Sequence, residues 1–218
     1  MTILSPPGAS SARPSTRPNR LSTRPTAVIV GILFVVQMIS AMVGTSLIQA
    51  FVDGDPDRDA MTIGVLLMFG SGLAVVSIGV LMYPVLREVA PGLAGWYPAL
   101  RIAEFLVSTA CGAYLLARSE VVPDHLLWVY VPTGFGGVVL TYLLAVSRLV
   151  PRPVAVLGLV GYVLLTIGVP LDLIGLLDMS AGPGLLLLVP GGLFELVVLP
   201  IWLITKGFSS PRQAPAPA

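Results

Sequence analysis

The chain has 218 residues, 56% of them hydrophobic and only 11% charged, with a formal net charge of +1 and a mean hydropathy of +0.93. A soluble domain carries about 25% charged residues, so this composition excludes a water-covered surface and puts the chain in lipid. The near-zero charge gives no footing for nucleic acid, and the lone Cys111 excludes an intramolecular disulfide or a multi-cysteine metal site.

In chain order, residues 1–25 come first and are rich in Pro, Ser, Thr and Arg. Such a segment buries too little apolar area to order itself, so a disordered basic tail is expected. The apolar run that follows is longer than the roughly 7–15 residues of a signal-peptide core and is read as a retained first span. Six stretches, 27–51, 61–86, 97–117, 126–147, 154–177 and 184–205, each reach the roughly 20 residues that cross a bilayer. The expected fold is therefore all-α: a polytopic bundle of about six spans occupying 26–208, with a second disordered tail at 209–218. Between the first two spans lies VDGDPDRDA, with Asp53, Asp55, Asp57 and Asp59 around Arg58. The alternation resembles a calcium loop but lacks the closing Glu, so it reads as a solvated acidic loop.

Short connections force neighbouring spans to be antiparallel, and Lys and Arg then set the orientation. Nine of them fall on the side of the termini (Arg13, Arg17, Arg20, Arg24, Arg87, Arg148, Arg152, Lys206 and Arg212), against Arg58 and Arg118 opposite. Both termini are expected in the cytoplasm, with the bundle in the plasma membrane.

Charges inside the spans are the informative residues, because an ionisable group in hydrocarbon needs a partner or a cavity. Glu195 lies in LLLLVPGGLFELVVLPIWLITKGF, eleven residues before Lys206. At about 1.5 Å rise per residue, Glu195 sits about 16 Å from the inner interface, Gln37 about 15 Å, Glu104 and Tyr162 about 12 Å, and Arg101 about 7 Å. These five groups share one layer on four helices, so a single polar cluster is expected if their faces converge. Arg101 and Glu104 are three apart and can pair on one helix face, which leaves Glu195 without a counter-charge. Three solutions are open: Arg101 bridging both carboxylates and fixing the third span to the sixth, a protonated Glu195, or a bound cation. Elsewhere, Asp172 and His125 are expected at the outer interface, and a single histidine makes no zinc site. Cys111 is expected to pack as a small hydrophobe.

The fourth and sixth spans share a pattern. VPTGFGGVVLTYLLAVSR (131–148) aligns without gaps on VPGGLFELVVLPIWLITK (189–206), pairing Pro132 with Pro190, Gly134 with Gly192 and Arg148 with Lys206. Proline followed by glycine weakens a helix, and paired broken spans mark transporter sites. Close packing on small residues, as at Ser40/Gly44 and Ser108/Gly112, is the competing reading.

Three phrases, YPVLRE (83–88), WYPALRIAEFL (96–106) and PGGLFELVVLPIWLITKGF (190–208), resemble a family of small bacterial integral membrane proteins known only as a domain of unknown function. The most specific part is the last, with Phe194, Glu195, Trp202, Lys206, Gly207 and Phe208, and the Arg101 and Glu104 pair also looks like a family feature. The resemblance implies a six-span fold and a membrane compartment, and no activity.

Functionally, the leading expectation is binding or transport of a small solute, ion or proton through the Glu195, Arg101, Glu104, Gln37 and Tyr162 cluster. A structural or regulatory protein whose buried charges are interhelical glue is the alternative, and an intramembrane acid–base enzyme comes third. The sequence contains no GxSxG with a histidine partner, no HExxH and no phosphate-binding glycine loop. No enzyme, catalytic residue, metal or cofactor is therefore expected. Membrane lipids are the expected partners, with a homo-oligomer as the way to widen a solute path and the tail arginines worth about 1 kcal/mol each at an anionic surface.

Overall fold

The computed structural model describes residues 20–209 except Asp55, and the side chains of 20–23 are also left undescribed. Most of both expected tails lies outside these residues, although helix already begins at Arg20. Among the described residues every regular element is helical. The elements are α1 (Arg20–Val52), α2 (Arg58–Leu86), a single turn α3 (Pro91–Ala94), α4 (Trp96–Arg118), α5 (His125–Ser147) and α6 (Arg152–Leu173). A composite sixth span follows: a 3-10 segment (Gly182–Leu187), α7 (Val189–Leu193), a π turn (Phe194–Val198) and α8 (Leu199–Thr205). Six helical stretches are long and apolar enough to cross a membrane. The chain is a multi-pass all-α membrane bundle.

Local chemistry explains where these helices start and stop. The Asp57 carboxylate accepts the backbone N–H groups of Asp59 at 2.9 Å and Ala60 at 3.0 Å, satisfying donors at the N-terminus of α2 that have no partner within the helix. The acidic loop thus works in part as a helix cap. Gly207, at φ +73°, ends α8 by turning its N–H back to the carbonyls of Trp202 and Leu203, a conformation glycine adopts without steric cost. The fifth span stops at Leu173, short of the expected 177. There the Asp172 carboxylate accepts the Met179 N–H at 2.7 Å and closes the connecting loop.

The first and last spans meet at one end of the bundle, hereafter the terminal end. Gly207 lies against Ala27 and Arg24, and the Ser209 N–H donates to the Leu149 carbonyl at 2.8 Å. The main core runs from this end through Phe34, Ile78, Met82, Leu86, Tyr97, Tyr162 and Phe194. A smaller one (Ile48, Met61, Val65, Leu115) closes the far end. Outward, α1 exposes Ile29, Ile32, Val36, Ile39 and Val43, an apolar stripe that only hydrocarbon solvates well.

The structure separates the two spans expected to be broken. α5 runs unbroken through Pro132, and its glycines serve packing. A Cβ on Gly134 would lie 2.6 Å from Thr166 Oγ1, one on Gly136 3.3 Å from Leu100 Cβ, and Gly137 is covered by the Tyr162 ring. Pro132 removes one helical hydrogen bond at Trp128, and with packing on both sides the helix stays continuous. The sixth span alone is interrupted, so the gapless alignment of the two sequences does not carry over into matching structure. Gly44 also packs as expected: its Cβ position is 2.8 Å from the Gly64 carbonyl, so α1 and α2 cross backbone to backbone.

Candidate functional site

The interruption in the sixth span lies at Glu195. Pro200 has no N–H for the Leu196 carbonyl, and its ring would crowd that carbonyl in an α-helix. The preceding turn widens to π, with the Leu199 N–H reaching the Phe194 carbonyl. Such single π turns are rare and recur at functional sites. Here the wide turn carries Glu195 into the middle of the bundle and buries Phe194 edge-on to Tyr162, with ring centroids 6.1 Å apart.

Around it the structure brings together all five residues of the expected cluster. Arg101 Nη1 is 2.7 Å from Glu104 Oε2, and Arg101 Nη2 is 3.6 Å from Glu195 Oε1. Arg101 Nη2 also donates to the Tyr162 hydroxyl at 3.3 Å. Tyr162 in turn donates to Glu195 Oε1, and Gln37 Nε2 donates to Glu195 Oε2 at 3.2 Å. With Thr133 on the Glu104 carboxylate, the network therefore ties α1, α4, α5, α6 and the π turn into one layer. Arg101 is 2% exposed, and the Glu104 and Glu195 side chains are 13% and 12% exposed. Between Phe34, Gln37, Ile78, Tyr97, Arg101 and Glu195 there is no space for a water molecule.

Three members lie outside the five expected, and one of them, Thr133 of α5, sets its hydroxyl on the Glu104 carboxylate. Tyr97, fully buried, lays its ring under the Arg101 guanidinium at 5.2 Å, a cation–π contact that gains strength when desolvated. Its spacing of four from Arg101 was a readable signal. Ser71 donates to the backbone carbonyl of Gln37 at 2.9 Å, and nothing in its sequence context distinguishes it from other small residues in apolar runs. The helices also approach closely enough to seat these groups. A Cβ on Gly79 would lie 3.1 Å from Pro98 Cα and 3.4 Å from Arg101 Cβ, and Gly161 lies directly on the Gly191 backbone, beside Tyr162.

The remaining singled-out residues stand apart from the cluster. Asp172 belongs to the loop described above. His125 opens α5 at the far end. Cys111 is only half-buried and lines a cleft there, so it does not play the buried packing part expected of it.

Fold and site together define a multi-pass membrane bundle built around one guanidinium and two carboxylates. Residues 124–207 match the family model described as Domain of unknown function (DUF4386). The match takes in the last three spans and the FELVVLPIWLITKG motif. The YPVLRE and WYPALRIAEFL phrases fall outside it. It agrees with the resemblance to a multi-pass family without an assigned activity. No significant match was found among curated proteins or among solved structures.

Proposed function

We propose that this is a proton-binding, proton-coupled membrane protein whose Glu104 and Glu195 pair holds one proton in its working cycle. The observation that carries this is the charge count: two carboxylates share one guanidinium in a buried layer. Arg101 is the closer counter-ion of Glu104, and Glu195 is left with a longer ion pair and two neutral donors. An uncompensated charge in low dielectric is costly. A hydrated or larger cation needs space that this packing lacks, whereas a proton needs none. The groups facing the pair are Gln37 from α1, Tyr97 and Arg101 from α4, Thr133 from α5, and Tyr162 from α6, and none but Arg101 is a cation.

The test is an infrared pH titration of the purified full chain, following the C=O stretch of protonated carboxyl. As pH falls the band grows, and one component of it should belong to the pair, apart from the nine other Asp and Glu residues. Glu195→Gln and Glu104→Gln should each abolish that component, because either leaves one carboxylate on one guanidinium. A folded wild type whose carboxyl bands are untouched by both changes defeats the reading.

A second reading has its own observation. The network touches five elements, as interhelical glue does. Under that reading both glutamines lower thermal stability and move no proton.

A further inference from the structure

At the far end of the bundle a cleft of about 40 Å³ is bounded by Thr45 and Gln49 of α1, Ser108 and Cys111 of α4, and His125 and Val129 of α5. A water needs about 10–15 Å³ of such space and polar partners; there is room for about three, and in walls that are otherwise mostly apolar (Val65, Met68, Leu115 among them) the partners are Thr45, Gln49, Ser108 and His125. The α4–α5 loop residues Val121 and Val122 also border the cleft, and Gln49 is exposed, so it reaches the far surface.

Its position relative to the buried cluster is specific. Ser108 is one helical turn beyond Glu104 on α4, and seven residues (two turns) beyond Arg101 on the same face. On α5, Val129 stands seven residues before Gly136, whose Cβ position is 3.8 Å from Arg101 Nε. On α1, Ile48, another wall residue, is eleven residues beyond Gln37, again a return to the same face. Three helices thus present one inward stripe each, carrying the cluster below and the cleft above. The floor of the cleft is about 6 Å of helix rise from Glu104. On the opposite side of the cluster the described residues are closely packed: Phe34, Ile78, Met82, Leu86 and Tyr97 fill it, each at most 2% exposed.

We infer that the cleft is a water-filled vestibule through which protons reach the cluster from the far face alone, Glu104 being the first carboxylate they meet. This deepens the proton-binding reading and rests on it. A hydronium in the vestibule gives its proton to a Glu104 oxygen, forming the carboxyl O–H and leaving water behind. Neutral Glu104 then no longer competes for Arg101, and the guanidinium's charge passes wholly to Glu195. The reverse transfer returns the proton to the same water.

Cys111 provides a native reporter on the vestibule wall. The full chain in oriented vesicles is treated with a charged, membrane-impermeant methanethiosulfonate and modification is read by mass. In a Cys111→Ser background, Ser108→Cys probes the floor, and Leu106→Cys, 59% exposed on the lipid side of α4, serves as the control. Charged reagents need water around the thiol, so Cys111 and Ser108→Cys should react roughly ten-fold faster than Leu106→Cys, and only from the far face. Equal rates at positions 108 and 106, or faster reaction from the terminal face, overturn the inference. Should labelling fail while the infrared band still depends on both glutamates, proton binding stands and this route is wrong. If labelling succeeds and the band is indifferent to the glutamates, the water-filled cleft stands, and its role as a proton route is overturned along with the proton reading.

Discussion

At the scale of single residues, Arg101 is the group on which the buried layer depends. It faces Glu104, Glu195, Tyr162 and the Tyr97 ring together, so its removal strands two carboxylates at once. Breaking a buried pair from one side costs about 3–5 kcal/mol. Arg101→Leu should lose stability of that order at neutral pH in detergent melts. The loss should shrink in acid, where protons take over the guanidinium's part. An equal loss at both pH values would mean that packing under Tyr97, not charge, is what Arg101 supplies. Tyr162→Phe makes a smaller cut. It removes the donor to Glu195 and the acceptor from Arg101 while keeping the ring against Gly137. Its expected cost is about 1–3 kcal/mol, with the acid-dependent carboxyl band strengthened, since Glu195 loses a donor that stabilises its charge.

Among the elements, the sixth span decides whether these residues meet. Pro200 widens the turn holding Glu195, and the backbone contact of Gly161 with Gly191 sets α6 against α7 one residue from Tyr162. Gly161→Ala should therefore act at a distance, since its Cβ would fall 2.6 Å from Gly191 Cα and 2.9 Å from the Pro190 carbonyl carbon. Overpacking of this kind costs about 1–3 kcal/mol, and the expected signature is a lowered melting temperature together with a weakened response of the carboxyl band to Tyr162→Phe. Normal melting and a normal band would show that α6 and α7 have slack. The same element shows what could be read in advance. The spans were legible because hydrophobic length is a property of the residues alone. The layer of Gln37, Arg101, Glu104, Tyr162 and Glu195 was legible too, because helical rise converts sequence spacing into depth. The π turn was less so: the prolines the two spans share, Pro132 and Pro190, do not set it, whereas Pro200, opposite Tyr142 in the fourth span, does. The cleft was hidden, since a void belongs to the spacing between helices and to no residue in particular.

For the molecule as a whole, the consequence of the cleft turns on orientation. The terminal end carries Arg24, Arg87, Arg148, Arg152 and Lys206 among the described residues, and the far end Arg58 and Arg118. Cationic loops are retained on the cytoplasmic side, and the bias acts through short loops such as these. An alkaline phosphatase fused after Ser209 should therefore be inactive, and one inserted at 120–123, in the α4–α5 loop, active. If both fusions behave so, the vestibule faces outward and the filled side of the bundle faces the cytoplasm. With a hydrocarbon core about 30 Å thick and Glu195 about 16 Å of helix rise from Lys206, the cluster sits close to the midplane. Water needs to cross only the outer half to reach it. With that topology and the proposed proton route, the cluster should equilibrate with external pH and be shielded from internal pH. In vesicles of known orientation, the carboxyl band should follow the pH outside and ignore a jump imposed inside. If the fusions instead report the reverse topology, the same experiment should follow internal pH, and a band that follows both compartments equally would mean that the terminal end is not sealed.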